Sequence, residues 1–254
     1  MHIYFTFILF IIGLVSASFL NALLYRIENG YKYPDIFIKG SHCEKCNKQL
    51  KTYELIPVIS FFLFKGKCSK CGYMVPVYYP LTELMLGISF ASIYFYSLSP
   101  ILYLVILFFF AFSYFDRLYK SIPAILVDVY LGILVIYFFV MVILQKGIPE
   151  NGILIGLTIS VLALILGKVF KKPFGIGDIL VLIGLSIVLS LPLYVGFIYI
   201  FLIVSSIYSL LLVSLKKATL KSSIPLLPFM FVSLTTLLFF NEYIVELIEK
   251  FYYF

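Results

Sequence analysis

Residues 101–115 read ILYLVILFFFAFSYF, and this apolar run is followed at once by Asp116. A long run without a charge is typical of a helix in hydrocarbon. The whole chain has the same character, since 63% of its 254 residues are hydrophobic, 12% are charged and its mean hydropathy is +1.11. Soluble domains have about a quarter of their residues charged. The sequence therefore predicts a polytopic membrane protein.

The predicted fold class is all-α, because long apolar runs form helices that satisfy their own backbone groups, whereas membrane barrels have short alternating strands. We expect about eight transmembrane helices, with a cytoplasmic zinc-ribbon-like loop after the first. The predicted spans are 3–25, 80–98, 101–115, 122–144, 151–167, 179–193, 195–215 and 224–248. The predicted domains are a first transmembrane helix (1–25), a cytoplasmic tetracysteine loop (26–79) and a seven-helix membrane core (80–254).

The distribution of basic residues predicts the orientation. Seventeen of the 19 lysines and arginines fall in alternate connections between the predicted spans. Cytoplasmic loops of membrane proteins are enriched in these residues, so we expect both termini to lie outside. Basic loops beside anionic lipid explain the net charge of +7, and no nucleic-acid partner is expected.

Two aspartates are the candidate catalytic residues. The third predicted span runs inward and ends at Asp116, and the sixth runs outward and begins after Asp178, so both meet one membrane face. Two carboxyl groups that approach closely share one proton, which lets one accept a proton from water while the other donates to a peptide carbonyl. Gly175 and Gly177, just before Asp178, permit close approach of another chain, or else form a simple helix-entry turn.

All four cysteines lie in the polar segment 26–79, as Cys43-x-x-Cys46 and Cys68-x-x-Cys71 with 21 residues between the pairs. Paired motifs of this kind supply four thiolates for a tetrahedral site, which indicates structural Zn²⁺. The alternatives are disulfides, which a reducing cytosol disfavours, and redox chemistry, which does not need two copies.

Several motifs occur in the order found in bacterial type IV prepilin peptidases, the leader peptidase/N-methyltransferases of the GxGD aspartic protease family. They are Ser18-Phe19-Leu20-Asn21, Tyr25-Arg26, the two cysteine pairs, ELIPVIS at 54–60, YPLTEL at 79–84, Asp116 with Ser121-Ile122-Pro123, Gly175-Ile176-Gly177-Asp178 and PLLPF at 225–229. The chain resembles this family from residue 18 to 230.

The resemblance implies an aspartic endopeptidase of the bacterial inner membrane that cleaves prepilin or pseudopilin precursors at the cytoplasmic face. It further implies that Asp116 and Asp178 carry the hydrolysis and that S-adenosylmethionine serves as methyl donor for the new amino terminus. The expected partners are the precursor and membrane lipids. The chain departs from the family pattern at Ile179-Leu180-Val181, where a lysine is frequent, and at Ala124, where a polar residue is frequent.

Two further acidic residues, Glu54 and Glu83, are candidates for binding substrate or the methyl donor. Two other functions compete with the prepilin peptidase. A presenilin-type GxGD intramembrane protease shares the aspartate motif but leaves the cysteine loop unexplained. An ion-coupled transporter, with an ion path formed by Asp116, Asp128 and Asp178, is disfavoured because the aspartates are expected at one membrane face and not along the midplane.

Overall fold

The structure, a computed structural model, describes residues 2–144, 156–159, 161–162, 165, 175–217, 219 and 224–252. Every regular element in these ranges is a helix, and the β pairing within them is confined to isolated bridges. The predicted all-helical class is therefore confirmed. The chain forms two compact units, Met1–Ser97 and Leu98–Phe254.

The first unit is built on two long helices that pack side by side, α1 (His2–Glu28) and α4 (Tyr78–Phe95). The connection between them contains the short helices α2 (Asp35–Ile38) and α3 (Ile59–Leu63) and a 3-10 helix (Thr52–Leu55). The core of the helix pair contains fully buried apolar side chains from both helices, among them Ala17, Leu86 and Ile93. The helix pair thus carries the polar cysteine segment as an insertion.

Small residues let α1 and α4 approach closely. A Cβ atom at Gly13 would lie 2.6 Å from the Leu86 carbonyl oxygen and 2.7 Å from Gly87 Cα. A Cβ atom at Gly87 would lie 3.0 Å from Leu14. Close backbone contact at small residues is a general basis of helix association in lipid, where the hydrophobic effect does not act between helices.

The second unit contains six described helices. They are α5 (Ile101–Tyr119), α6 (Ala124–Ile143), α7 (Ile176–Val188), α8 (Leu191–Ser214), α9 (Leu227–Phe239) and α10 (Asn241–Tyr252). Helix α9 packs against α5 and α8, α7 packs against α6, and α10 packs against α8. Contacts of α5 with α6 and α7 complete the arrangement.

Buried aromatic rings hold the middle of this unit together. Tyr130 of α6 packs edge-on against Phe112 of α5, with ring centroids 5.4 Å apart and planes at 87°. Its hydroxyl donates to the Val181 carbonyl of α7 at 3.3 Å, so a polar group in an apolar core is satisfied. Phe197 of α8 packs on Phe109 with centroids 6.4 Å apart. These contacts fix α5 and α7 relative to each other.

Four helices, α1, α5, α6 and α8, are long and apolar enough to cross a membrane, and α9 with the start of α10 makes a fifth if that bent pair is one span. The multi-pass prediction is confirmed. The count of eight stays a prediction: α7 has only 13 residues, α4 is outside the four, and most of the predicted span 151–167 lies outside the described residues.

Residues 224–248, predicted as one span, do not form one straight helix, because the chain turns by 89° between α9 and α10. Helix α10 begins at Asn241 and carries Glu242, Glu246 and Lys250. Charged residues are costly inside lipid, and an amphipathic helix of this composition is suited to the interface between lipid and water. The apolar average over 224–248 gives no sign of this turn.

Replacing Gly13 by Ala should destabilise the α1–α4 pair by about 1–3 kcal/mol, because the new methyl group meets backbone atoms that cannot rotate away. Gly132→Ala is the matched control, since nothing lies within 4 Å of a Cβ atom there. Thermal unfolding in detergent measures both variants. Equal midpoints for Gly13→Ala and wild type would contradict the close packing.

Candidate active site and metal centre

Asp116 lies in the last turn of α5 and is buried, with 6% of its surface exposed. Its Oδ2 accepts a hydrogen bond from the Leu227 backbone N–H at 2.9 Å, and the Leu226 N–H also donates to this carboxyl group. The first N–H groups of a helix have no partner within the helix and attract anions. Asp116 therefore satisfies the amino end of α9, and α9 in turn orients Asp116.

Asp178 lies in the first turn of α7. Its carboxyl group folds back toward Gly175, where a Cβ atom would lie 2.9 Å from Asp178 Oδ2. A Cβ atom at Gly177 would lie 3.1 Å from Ile122 Cδ1, so the start of α7 touches the turn that follows α5. The carboxyl groups of Asp178 and Asp116 are close enough to interact electrostatically. The structure thus brings together two acids that are 62 positions apart in the sequence.

The sequence does not predict the contact of Asp116 with α9. The motif PLLPF at 225–229 contributes to the family resemblance but gives no sign of this hydrogen bond. The available signal was Pro228, because proline is common in the first turn of a helix and so marks the free N–H groups of Leu226 and Leu227. Backbone donors have no side-chain signature, which is why their target could not be inferred.

The four cysteines converge, and their Sγ atoms all lie within 4.8 Å of one another. The Sγ atoms of Cys43 and Cys71 are 3.8 Å apart, and those of Cys46 and Cys68 are 3.9 Å apart. A tetrahedral site with Zn–S bonds of about 2.3 Å places its sulfur atoms about 3.8 Å apart. All four are free thiols, so the disulfide alternative is not formed in this structure. The cluster fits a tetrahedral metal ion.

The backbone also favours thiolate at this cluster. The N–H groups of Cys71 and Lys70 donate to the Cys68 sulfur and lower its pKa to about 6. A thiol with this pKa is largely ionised at neutral pH, and the thiolate is the form that binds metals. The same N–H groups thus prepare Cys68 to act as a ligand.

The two cysteine pairs adopt the same turn. The N–H of Asn47 donates to the Cys43 carbonyl at 2.9 Å, and the N–H of Gly72 donates to the Cys68 carbonyl at 3.0 Å. Both donors have a left-handed backbone, with φ of 54° at Asn47 and 68° at Gly72. Glycine and asparagine adopt this conformation most readily. The residue after each second cysteine is therefore set by backbone geometry.

Glu54 connects the turns of the two cysteine pairs. It forms an ion pair with Lys48 at 2.7 Å, on the first turn, and accepts a hydrogen bond from Ser69 on the second. Lys48, the Lys51 backbone N–H and Ser69 together lower the pKa of Glu54 to about 2, so the carboxylate is ionised throughout the neutral range. Its surroundings indicate a structural role, which the sequence did not predict.

Glu83 lies on α4 with 8% of its surface exposed. Its Oε2 accepts a hydrogen bond from the Val58 N–H at 2.7 Å, and the Ser18 hydroxyl also donates to this carboxylate. Val58 has φ of 60° and ψ of −52°, an unusual conformation for a β-branched residue. Glu83 thus holds a strained turn of the cysteine segment against α1 and α4.

Comparison with known proteins shows which proteins the first part of this chain is similar to. Residues 11–97 match the model of the Bacterial Peptidase A24 N-terminal domain. A prepilin leader peptidase/N-methyltransferase of Bacillus subtilis (strain 168) is 39% identical over 85 residues, which cover 34% of this chain and 33% of the relative. The relative of the same name from Myxococcus xanthus (strain DK1622) is 37% identical over 82 residues, covering 32% of this chain and 24% of the relative.

The protein of that name from Neisseria gonorrhoeae is 29% identical over 107 residues, covering 33% of this chain and 36% of the relative. The chain thus spans about a third of the length of the curated relatives it matches. No solved structure matches. The resemblance to type IV prepilin peptidases is confirmed for the part of the chain that the family model matches, residues 11–97, which includes the cysteine segment. Asp116 and Asp178 lie beyond the part that the model matches.

Replacing Cys43 and Cys46 together by serine should remove the bound metal, because a two-thiolate remnant cannot complete the tetrahedral site. Elemental analysis of the purified protein measures zinc per chain. We expect about one zinc ion in the wild type and nearly none in the double variant. An unchanged zinc content would rule out the tetracysteine site.

Asn47→Gly should keep the metal, whereas Asn47→Val should cost about 1–2 kcal/mol, because a β-branched residue resists the left-handed conformation. The rate of zinc loss to a chelator distinguishes the two variants. Faster loss from Asn47→Val alone is the expected result, and equal rates would show that this backbone angle does not limit the turn.

Proposed function

We propose that this chain is a membrane aspartic endopeptidase that removes the leader from type IV prepilin or pseudopilin precursors at the cytoplasmic face. Asp116 and Asp178 are the proposed catalytic pair. The observation that carries the proposal is geometric: the start of α7, with Asp178, touches the turn that follows Asp116, and Asp116 is buried against the amino end of α9.

The proposed chemistry uses the pair as a unit. One carboxylate accepts a proton from water while the other carboxyl group donates to the scissile carbonyl, and neither role is assigned to one residue. The N–H groups of Leu226 and Leu227 fix the orientation of Asp116, which leaves less freedom to be lost when the substrate binds.

The two glycines before Asp178 support a substrate that binds in extended form. Side chains at Gly175 or Gly177 would crowd Asp178 and Ile122, respectively. Their absence keeps the carboxyl group accessible to a peptide backbone lying beside the start of α7.

A second activity, methylation of the new amino terminus with S-adenosylmethionine, is proposed from the relatives. Their printed names combine leader peptidase with N-methyltransferase, and the matching region of this chain is the cysteine-containing part. We propose Zn²⁺ as the ion of the tetracysteine cluster, in a structural role that stabilises a segment with little apolar core.

The proposed location is the bacterial inner membrane, with both termini outside and the cysteine segment in the cytoplasm. The distribution of lysine and arginine supports this orientation. The three-part division into 1–25, 26–79 and 80–254 remains part of the proposal. Precursor proteins and lipids are the proposed partners, and no nucleic-acid partner is proposed.

Asp116→Asn and Asp178→Asn should each lower cleavage by at least about 10³-fold, because each removes a group that acts on the reacting atoms. The assay is incubation of the detergent-solubilised protein with a synthetic prepilin, followed by mass spectrometry of the products. The same spectrum reports the cleavage position and any added methyl group.

Asp128→Asn is the matched control for both variants, because Asp128 is an exposed acid on α6 in the same unit. It should retain wild-type cleavage. Full activity in either dyad variant removes that residue from the proposed pair, and charge-coupled uptake without cleavage would favour the transporter.

A further inference from the structure

A cavity of about 200 Å³ lies within the first unit, between the cysteine segment, the carboxyl half of α1 and the amino half of α4. Its walls are largely apolar and include Phe61 and Phe64. Three polar side chains that line it, Asn21, Arg26 and Glu83, are more than nine-tenths buried, with 3%, 7% and 8% of their surfaces exposed. The proposed peptidase chemistry uses none of them.

The side-chain oxygen of Asn21 accepts no hydrogen bond. Its Nδ2 donates to the Thr82 hydroxyl oxygen at 3.1 Å, and that hydroxyl donates its single proton to the Tyr79 carbonyl at 3.0 Å. Thr82 can therefore only accept from Asn21, which fixes the orientation of the amide. The buried Oδ1 of Asn21 is left without a hydrogen-bond partner. A buried acceptor of this kind costs roughly 1–3 kcal/mol when it stays unsatisfied.

Glu83 is a buried acid without a matching cation. Its hydrogen bonds come from neutral donors, the Val58 N–H and the Ser18 hydroxyl. Among the residues the structure describes, the ion pairs are Lys48–Glu54 and Lys250–Glu246, so Glu83 belongs to none. The cavity lining also contains two cations, Arg26 and Lys67, but neither forms an ion pair with Glu83 in the described part of the chain, and Arg26 donates to the Ile36 carbonyl.

We propose that this cavity binds a primary ammonium group attached to an apolar moiety. An ammonium group has three N–H donors, enough to satisfy Asn21 Oδ1 and to pair with the Glu83 carboxylate. Phe61 and Phe64 would contact the apolar part. A purely apolar ligand would leave Asn21 unsatisfied, and a bare Ca²⁺ or Mg²⁺ ion needs more oxygen ligands than these two side chains provide.

Two molecules could carry this ammonium group: a polypeptide amino terminus exposed by leader removal, or the amino-acid end of the methyl donor. Choosing between them rests on the proposed function. The ammonium site itself rests only on Asn21, Glu83 and the cavity, so it can be tested without any cleavage.

The test uses the full-length protein in detergent and phenylalanine amide as probe, with binding followed by calorimetry. N-acetylphenylalanine amide, which lacks the ammonium group, should bind at least about tenfold more weakly, as expected for loss of a charged hydrogen bond. Glu83→Gln should weaken the binding of phenylalanine amide by a similar factor. Asp35→Asn, an acid of the same unit that does not line the cavity, should leave its affinity within about twofold.

Asn21→Asp keeps the test decisive if Glu83→Gln does not fold, because a second carboxylate beside the probe should strengthen binding. Equal binding of the two amides to wild type, or unchanged affinity in Glu83→Gln, would overturn the proposal. Competition by S-adenosylmethionine but not by methylthioadenosine would support the ammonium site and assign it to the methyl donor. Absence of that competition would support it as a site for a polypeptide amino terminus.

A protein that binds phenylalanine amide as expected but cuts no prepilin would refute the proposed function and leave the ammonium site intact. Normal cleavage of prepilin without binding of phenylalanine amide would refute the ammonium site and leave the proposed function intact. The two ideas therefore fail separately.

Discussion

Hydrocarbon offers no hydrogen bonds, so each polar group that this chain carries into its membrane helices needs a partner from the protein itself. Tyr130 meets the Val181 carbonyl, and Asp116 meets the first N–H groups of α9. These bonds join helices that are distant in the sequence. Apolar packing brings the helices together, but the polar contacts select which faces and which turns meet. The candidate active site is a product of this requirement.

Features that depend on local spacing could be predicted from the sequence. Helices follow from long apolar runs, and the metal cluster follows from two Cys-x-x-Cys pairs, because each pair already has ligand spacing within one turn. Their convergence needed only a segment flexible enough to fold on itself. The predicted topology, in which spans of opposite direction return Asp116 and Asp178 to one membrane face, stays a prediction.

Features that depend on backbone donors or on turns within an apolar run could not be predicted from the sequence. The backbone N–H of Leu227 donates to Asp116, which is 111 positions away in the sequence. The leucine side chain takes no part in this bond, so the residue type gives no signal for it. The turn between α9 and α10 has no clear signal in the sequence, because the average over 224–248 stays apolar although Asn241 and Glu242 interrupt the apolar run. Glu54 is a candidate for binding substrate or the methyl donor, and its contacts with Lys48 and Ser69 become visible only in the structure.

Helices α7 and α9 each have 13 residues, which makes them about 20 Å long, whereas the hydrocarbon layer is about 30 Å thick. Mismatch of this size is relieved when the surrounding lipid thins toward the protein. Asp178 begins one of these helices, and Asp116 is bound to the start of the other. If both helices cross that layer, the acyl-chain length of the host lipids governs how far bulk water reaches toward both acids.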